Sequence, residues 1–167
     1  MIYVIQVQTS KEMKVRADLV RIGFNAYVPR RELTIRRSGL WTKVINNIFP
    51  GYVFIDMEYT PENHIAVRHT ENVVRFLGAP TPLPEHEAAV MNWLFNGGET
   101  IKESEALIDS NGDCVGYNGF LAGYSDRVTY FNRRQCKATV EVRFGGRIHK
   151  ANLGVTLIKA ADTDRQS

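Results

Sequence analysis

Cysteine is scarce in this 167-residue sequence, with only Cys114 and Cys136 present. Two thiols fall short of a structural zinc site unless histidines join them. His64, His69, His86 and His149 show no ligand spacing with either cysteine, so no metal is expected. Two reduced thiols of a cytoplasmic protein are the expectation. Long apolar runs are also missing: none approaches the roughly 20 residues that a membrane-spanning helix needs, and no membrane partner is expected. The opening MIYVIQVQTSKE has no basic stretch ahead of its apolar residues and is interrupted by Gln6, which reads as a strand and not a signal peptide. Nothing supplies a nucleophile elbow, a phosphate-cradling glycine loop or metal spacing. His64, His69, Glu62 and Glu71 alone make a poor acid/base cluster, so neither enzyme activity nor a cofactor is expected.

What is present is ordinary globular composition, 44% hydrophobic and 23% charged, with an uneven charge distribution. The net charge is +3, yet Arg127, Arg133, Arg134, Lys137, Arg143, Arg147 and Lys150 stand against Glu141 alone in the window 127–150. Residues 98–110 are the reverse, with Glu99, Glu103, Glu105 and Asp109 against Lys102. Such local asymmetry points to a polyanion partner.

The β-branched and aromatic run Ile2–Val7 predicts a buried strand. Thr9 and Glu12 have capping-box spacing, with Thr9 as N-cap of a helix to about Ile22, which Gly23 ends. Lys11, Lys14, Asp18 and Arg21 share its polar face. A strand over Asn25–Thr34, a basic hairpin tip or loop over 35–47 and a strand over Ile48–Met57 follow. Then come a short helix over Pro61–His69, a strand over Val73–Leu77 and an amphipathic helix over Pro84–Phe95. This order predicts an α+β domain over 1–97, an antiparallel sheet with helices on one face. The acidic, Gly-bounded stretch 98–110 reads as a flexible linker. Short strands at Cys114–Tyr117, Arg127–Phe131, Lys137–Phe144 and Leu153–Ile158 predict a small C-terminal β-barrel over 111–162.

Phe49-Pro50-Gly51-Tyr52-Val53-Phe54-Ile55 resembles the FPGYVLV signature of the NusG N-terminal (NGN) domain. Val67-Arg68-His69-Thr70-Glu71-Asn72-Val73 resembles that family's VRxTPGV segment, followed in order by Phe76-Leu77-Gly78 and Pro82-Leu83-Pro84. Ile2-Tyr3-Val4-Ile5-Gln6 resembles its opening WYVVQ. Gly112-Asp113-Cys114-Val115 and Phe144-Gly145-Gly146-Arg147 resemble the GDxV start and FGR turn of a KOW domain. The chain departs from the family at Ile2, at Glu71-Asn72 and in Gly119-Phe120-Leu121-Ala122-Gly123, a degraded GPFxGxxG pattern. Val128–Val140 resembles a basic segment of LoaP-type paralogs, the processive antiterminators of long operons.

The resemblance implies a transcription elongation and antitermination factor, acting as a monomer on bacterial RNA polymerase. By motif, Tyr3, Phe49, Pro50, Tyr52 and Phe54 are the polymerase-binding candidates; the competing assignment is sheet core. Alternation puts Phe49 opposite Tyr52 and Phe54, so they do not all share one face. Arg68, His69, Thr70 and Asn72 fall where the family reads non-template DNA, and Lys11 and Lys14 extend that track unless they merely solvate their helix. Asn63 and His64 sit where some relatives touch a second polymerase element. Arg133, Arg134, Lys137, Arg143, Arg147, His149 and Lys150, with Tyr130 and Phe131 adjacent, suit structured nascent RNA such as a hairpin. Arg30, Arg31, Arg36, Arg37 and Lys43 form a second basic patch. The alternatives are a general NusG-type factor whose KOW domain recruits ribosomal or termination proteins, or a KOW-type RNA-binding protein of translation. Antitermination and pausing both occur on this scaffold, and the residues do not choose between them.

Overall fold

The computed structural model describes residues 1–78 and 80–160; positions 161 and 162 of the expected barrel lie outside the described residues. In chain order the elements are β1 (Ile2–Val7), α1 (Glu12–Arg21), β2 (Asn25–Tyr27), β3 (Arg30–Arg37), β4 (Leu40–Asn47), β5 (Tyr52–Asp56), α2 (Pro61–Arg68), β6 (Val73–Phe76) and α3 (Glu85–Phe95). They continue with β7 (Ser104–Ile108), β8 (Cys114–Asn118), β9 (Val128–Asn132), β10 (Lys137–Phe144) and β11 (Arg147–Lys159). Contacts divide the chain into two units. The first holds Met1–Arg30, Asn47–Glu99 and Val142–His149; the second holds Arg31–Asn46, Thr100–Glu141 and the described residues from Lys150 on.

The first unit is built on an antiparallel sheet of order β2-β5-β1-β6. Directly opposed residues share a face, so the pairings Tyr3↔Ile55 and Val4↔Phe54 assign Tyr3 and Phe54 to opposite faces. Tyr3, Ile5 and Ile55 form a buried core with Val15 and Leu19 of α1 and Val67 of α2. The α+β class holds, with α1 and α2 on the expected common face. At the end of α3, Phe95 reaches the other face, 4.4 Å from the Tyr27 ring and 5.6 Å from Phe54.

Local structure departs from expectation in three places of this unit. α1 begins without the predicted Thr9 cap: Lys11 is the N-cap and makes no side-chain bond. Glu12 is 2% exposed, and its carboxylate accepts the Gly51 N–H at 3.0 Å instead of turning back on its own helix. The expected strand from Ile48 starts only at Tyr52. The Phe49 carbonyl accepts from Tyr52 N–H at 3.3 Å and Gly51 has φ +87°, a type II turn with Pro50 and Gly51 at its centre. The single strand expected over Asn25–Thr34 is two, β2 and β3. α2 starts conventionally, with Pro61 in its first turn and the Thr60 hydroxyl accepting from Asn63 N–H at 3.1 Å.

The second unit contains the β3–β4 hairpin, turned by Ser38 (φ +50°) and Gly39 (φ +78°), the left-handed pair of a type I′ turn. Its base is tied to the segment after α3: Glu32 N–H donates to the Ile101 carbonyl at 2.8 Å, and Arg31 bridges Ile101 in parallel register. The five-stranded sheet has order β8-β7-β11-β10-β9, with β7 and β11 parallel. It curls into a half-barrel, Tyr117 of β8 and Phe131 of β9 lying with ring centroids 6.5 Å apart. β7 occupies Ser104–Ile108, inside the stretch assigned to the linker. Its one charge, Glu105, is exposed between Ser104, Ala106 and Ile108, which are buried, so an acidic stretch conceals a strand.

Candidate functional site

The predicted polymerase-binding residues separate on the two faces of the first sheet. Tyr3 is 4% exposed in the helix-covered core. Phe49, Tyr52 and Phe54 gather on the other face, with Phe49 and Phe54 ring centroids 5.8 Å apart. The alternation argument for Phe49 fails because Phe49 precedes the Pro50-Gly51 turn and is not in β5. Pro50 is exposed at that turn.

This aromatic cluster has a cover that the motif did not identify. The turn Val142–His149, which packs as part of the first unit, places Phe144 5.3 Å from Phe49, 5.2 Å from Tyr52 and 5.4 Å from Phe54, all edge to face. His149 stacks on Phe144 at 3.6 Å with the rings 3° from parallel, and lies 5.6 Å from Tyr52. The backbone N–H of Arg143 donates to Glu87 at 3.2 Å, adding a polar tie. Burial holds the His149 imidazole below its usual pKa, a bond with the Phe144 backbone opposes that shift, and the Arg147 charge reinforces it. Phe144 was readable only as the start of a turn motif; the sequence carried no signal that it faces Phe49.

The polar turn after α2 is exposed, and the structure brings α1 to it. Lys14 bonds Asp18 at 3.2 Å on its own helix and Glu71 at 3.3 Å in the turn. Both carboxylates raise the Lys14 pKa. His69 is exposed at the α2 C-cap, Thr70 donates to the Ala66 carbonyl at 2.9 Å, and Arg68 donates to the Val74 carbonyl. Asn72 takes φ +70° and accepts from Gln8 N–H at 2.9 Å, which fixes the turn beside the start of α1. Lys11 is exposed there as well. His64, by contrast, is engaged: it bonds the Tyr59 hydroxyl at 2.7 Å and stacks on Phe76 at 4.7 Å. Asn63 donates to the Glu58 carbonyl at 2.8 Å.

The seven RNA-binding candidates fall into two groups at opposite ends of β10. Arg133 and Arg134 are exposed in the β9–β10 turn, with Lys137 at the start of β10 and Tyr130 60% exposed on β9. The Arg133 guanidinium lies over Gly112, where an added Cβ would come within 2.6 Å of it. Arg143 and Arg147 are exposed in the Val142–His149 turn, and Lys150 follows on β11. His149 is not free for a nucleic acid in this arrangement, since its ring covers Phe144.

The family described as "Transcription termination factor nusG" matches residues 2–92. The chain is 27% identical over 155 residues to the transcription termination/antitermination protein NusG of Lactococcus lactis, covering 84% of this chain and 83% of that protein. Against NusG of Bacillus subtilis it is 26% identical over 171 residues, covering 93% and 96%. A solved Thermotoga maritima NusG structure, described for its domain interaction, covers 92% of each chain with a TM-score of 0.54 and 22% identity. That likeness is one of fold.

Proposed function

From the premise that this chain belongs to the NusG family of transcription termination/antitermination factors, we propose that it is a specialised, LoaP-type antiterminator. The first unit grips RNA polymerase with the Phe49–Tyr52–Phe54 face. The turn holding Arg68, His69, Thr70 and Asn72, extended by Lys11 and Lys14, tracks non-template DNA. The basic C-terminal half-barrel binds a nascent RNA hairpin through Arg133, Arg134 and Lys137, and the factor works as a monomer.

The observation that carries this reading is the aromatic face itself. Three rings from one seven-residue motif lie together on a sheet face that α1 and α2 leave uncovered; Phe95 of α3 flanks Phe54, and the short 142–149 turn sits on all three. Aromatic clusters of this kind dominate interface energetics once water is excluded. Polymerase binding there requires the turn to move off. RNA as the second partner is supported by the cations of 127–150 and by exposed Tyr130 beside them.

Tyr52, half-buried, can be truncated with less damage to the core than Phe54, which is fully buried. Tyr52→Ala, with an unchanged circular dichroism spectrum, is expected to weaken binding to core RNA polymerase at least tenfold, the loss of a single interface anchor. Unchanged affinity in a folded variant would remove this face from the polymerase contact.

A further inference from the structure

The β3–β4 hairpin is not used by the proposed polymerase or DNA contacts, and its composition is unusual for an idle hairpin. Arg30, Arg31, Arg36, Arg37 and Lys43 stand against Glu32 alone. Its tip exposes Leu40 (71%) and Trp41 (58%), large apolar side chains that no neighbour covers fully. The two-residue turn sets Arg36 opposite Trp41, and the Arg36 guanidinium sits 5.8 Å from the indole centroid.

The same hairpin face leads into a hollow. Thr34 and Trp41 from the hairpin, Glu103 from the segment before β7, and Cys136, Val155 and Leu157 from the sheet line an open space of 340 Å³, all within the second unit. Its walls are mainly apolar, and its polar groups are acceptors or hydroxyls. Glu103 has a side chain only 7% exposed, takes the Thr34 hydroxyl at 2.9 Å and has Lys43 at 3.8 Å. A protein that needed only to solubilise this hairpin has no use for an open indole over an apolar slot with a buried carboxylate.

We propose that this hollow is a slot for an unpaired nucleotide of RNA, with the base stacked on Trp41. The chemistry divides by group. Stacking requires an exposed aromatic face, which Trp41 provides at any base. Phosphates require cations outside the slot, and exposed Arg36 and Arg37 stand at the tip. The Glu103 carboxylate repels phosphate and accepts hydrogen bonds, so it selects the donor groups of a nucleotide: an exocyclic amine or the ribose 2′-hydroxyl. The 2′-hydroxyl favours RNA over DNA, and the net positive charge of the hairpin favours a polyanion over an apolar peptide. The assignment to RNA rests on the reading that this unit binds nascent transcripts. The slot is separate from Arg133 and Arg134, which makes the two testable apart.

The test uses the full chain in a Trp93→Phe background, since the sequence has two tryptophans and this leaves Trp41 as sole reporter. Unstructured oligocytidylate RNA is titrated in while Trp41 emission and affinity are followed. Quenching is expected, with Trp41→Ala weakening binding roughly 5- to 150-fold and Trp41→Phe retaining most of it, as the loss and retention of one base stack predict. Arg36→Ala with Arg37→Ala is expected to reduce the slope of log affinity against log salt by about two. Unchanged emission, or unchanged affinity in Trp41→Ala, would overturn the slot; an equal response to oligodeoxycytidylate would overturn its assignment to RNA. Arg133→Ala with Arg134→Ala is expected to leave Trp41 quenching intact. A wild-type protein that quenches with oligocytidylate yet ignores structured RNA would sink the hairpin reading alone.

Discussion

Replacing Phe144 by alanine removes the centre of the cover over the aromatic face. The Phe144 side chain is 2% exposed and meets Phe49, Tyr52, Phe54 and His149 at once. Each edge-to-face pair contributes about 0.5–1.5 kcal/mol beyond area burial, and truncating a buried Phe costs about 3–5 kcal/mol in all. The loss falls on the attachment of the 142–149 turn, because Phe144 packs on the sheet face opposite the core around Val15 and Leu19. A shift of that size raises the population with an uncovered face by about 10²- to 5 × 10³-fold. Hydrogen exchange followed by mass spectrometry reads this directly. Protection is expected to fall over 48–54 and 142–149 while α1 and β1 keep theirs. Under the proposed polymerase contact, apparent affinity for core polymerase is expected to rise with the open population until that form dominates. Wild-type protection at 48–54 in the variant would refute the assigned packing, and fast exchange throughout would show that Phe144 supports the whole unit and not one turn.

Three further expectations rest on other contacts. The His149 pKa is lowered from 6.5, so its packed form binds fewer protons than its free form; the attachment it supports is complete above about pH 6.5 and is lost as pH falls through the lower packed-state value. An NMR titration of His149 checks this, and a midpoint above 6.5 would contradict it. Glu12→Ala leaves the buried Gly51 N–H without its carboxylate and is expected to cost about 1.5–3 kcal/mol in urea unfolding. A change below a few tenths of a kcal/mol would show that water replaces the carboxylate. Arg133→Ala with Arg134→Ala is expected to abolish discrimination of a structured leader RNA from its scramble and to lower the salt slope by about two. Preserved discrimination would move the RNA site elsewhere.

Sequence alone determined the class, order and approximate bounds of most elements, because periodicity and turn chemistry are local. Ile2–Val7 is a strand and Pro61–Arg68 a helix, close to where their local patterns place them. The ordered match from the Tyr3 strand to Pro84 was legible for the same reason, and the family comparison over 2–92 agrees with it. Tertiary structure decided everything that depends on which surfaces meet. Glu12 had the spacing of a cap, but a buried N–H on a distant turn took its carboxylate. Residues 104–108 had the composition of a linker, yet backbone pairing with β8 and β11 made them a central strand. Phe49 and Phe54 share a face because a turn breaks the alternation between them, and Phe144, ninety residues further along the chain than Phe54, covers both. Hydrophobic burial has no sequence direction, so a local pattern names the residues that seek cover but not the segment that supplies it.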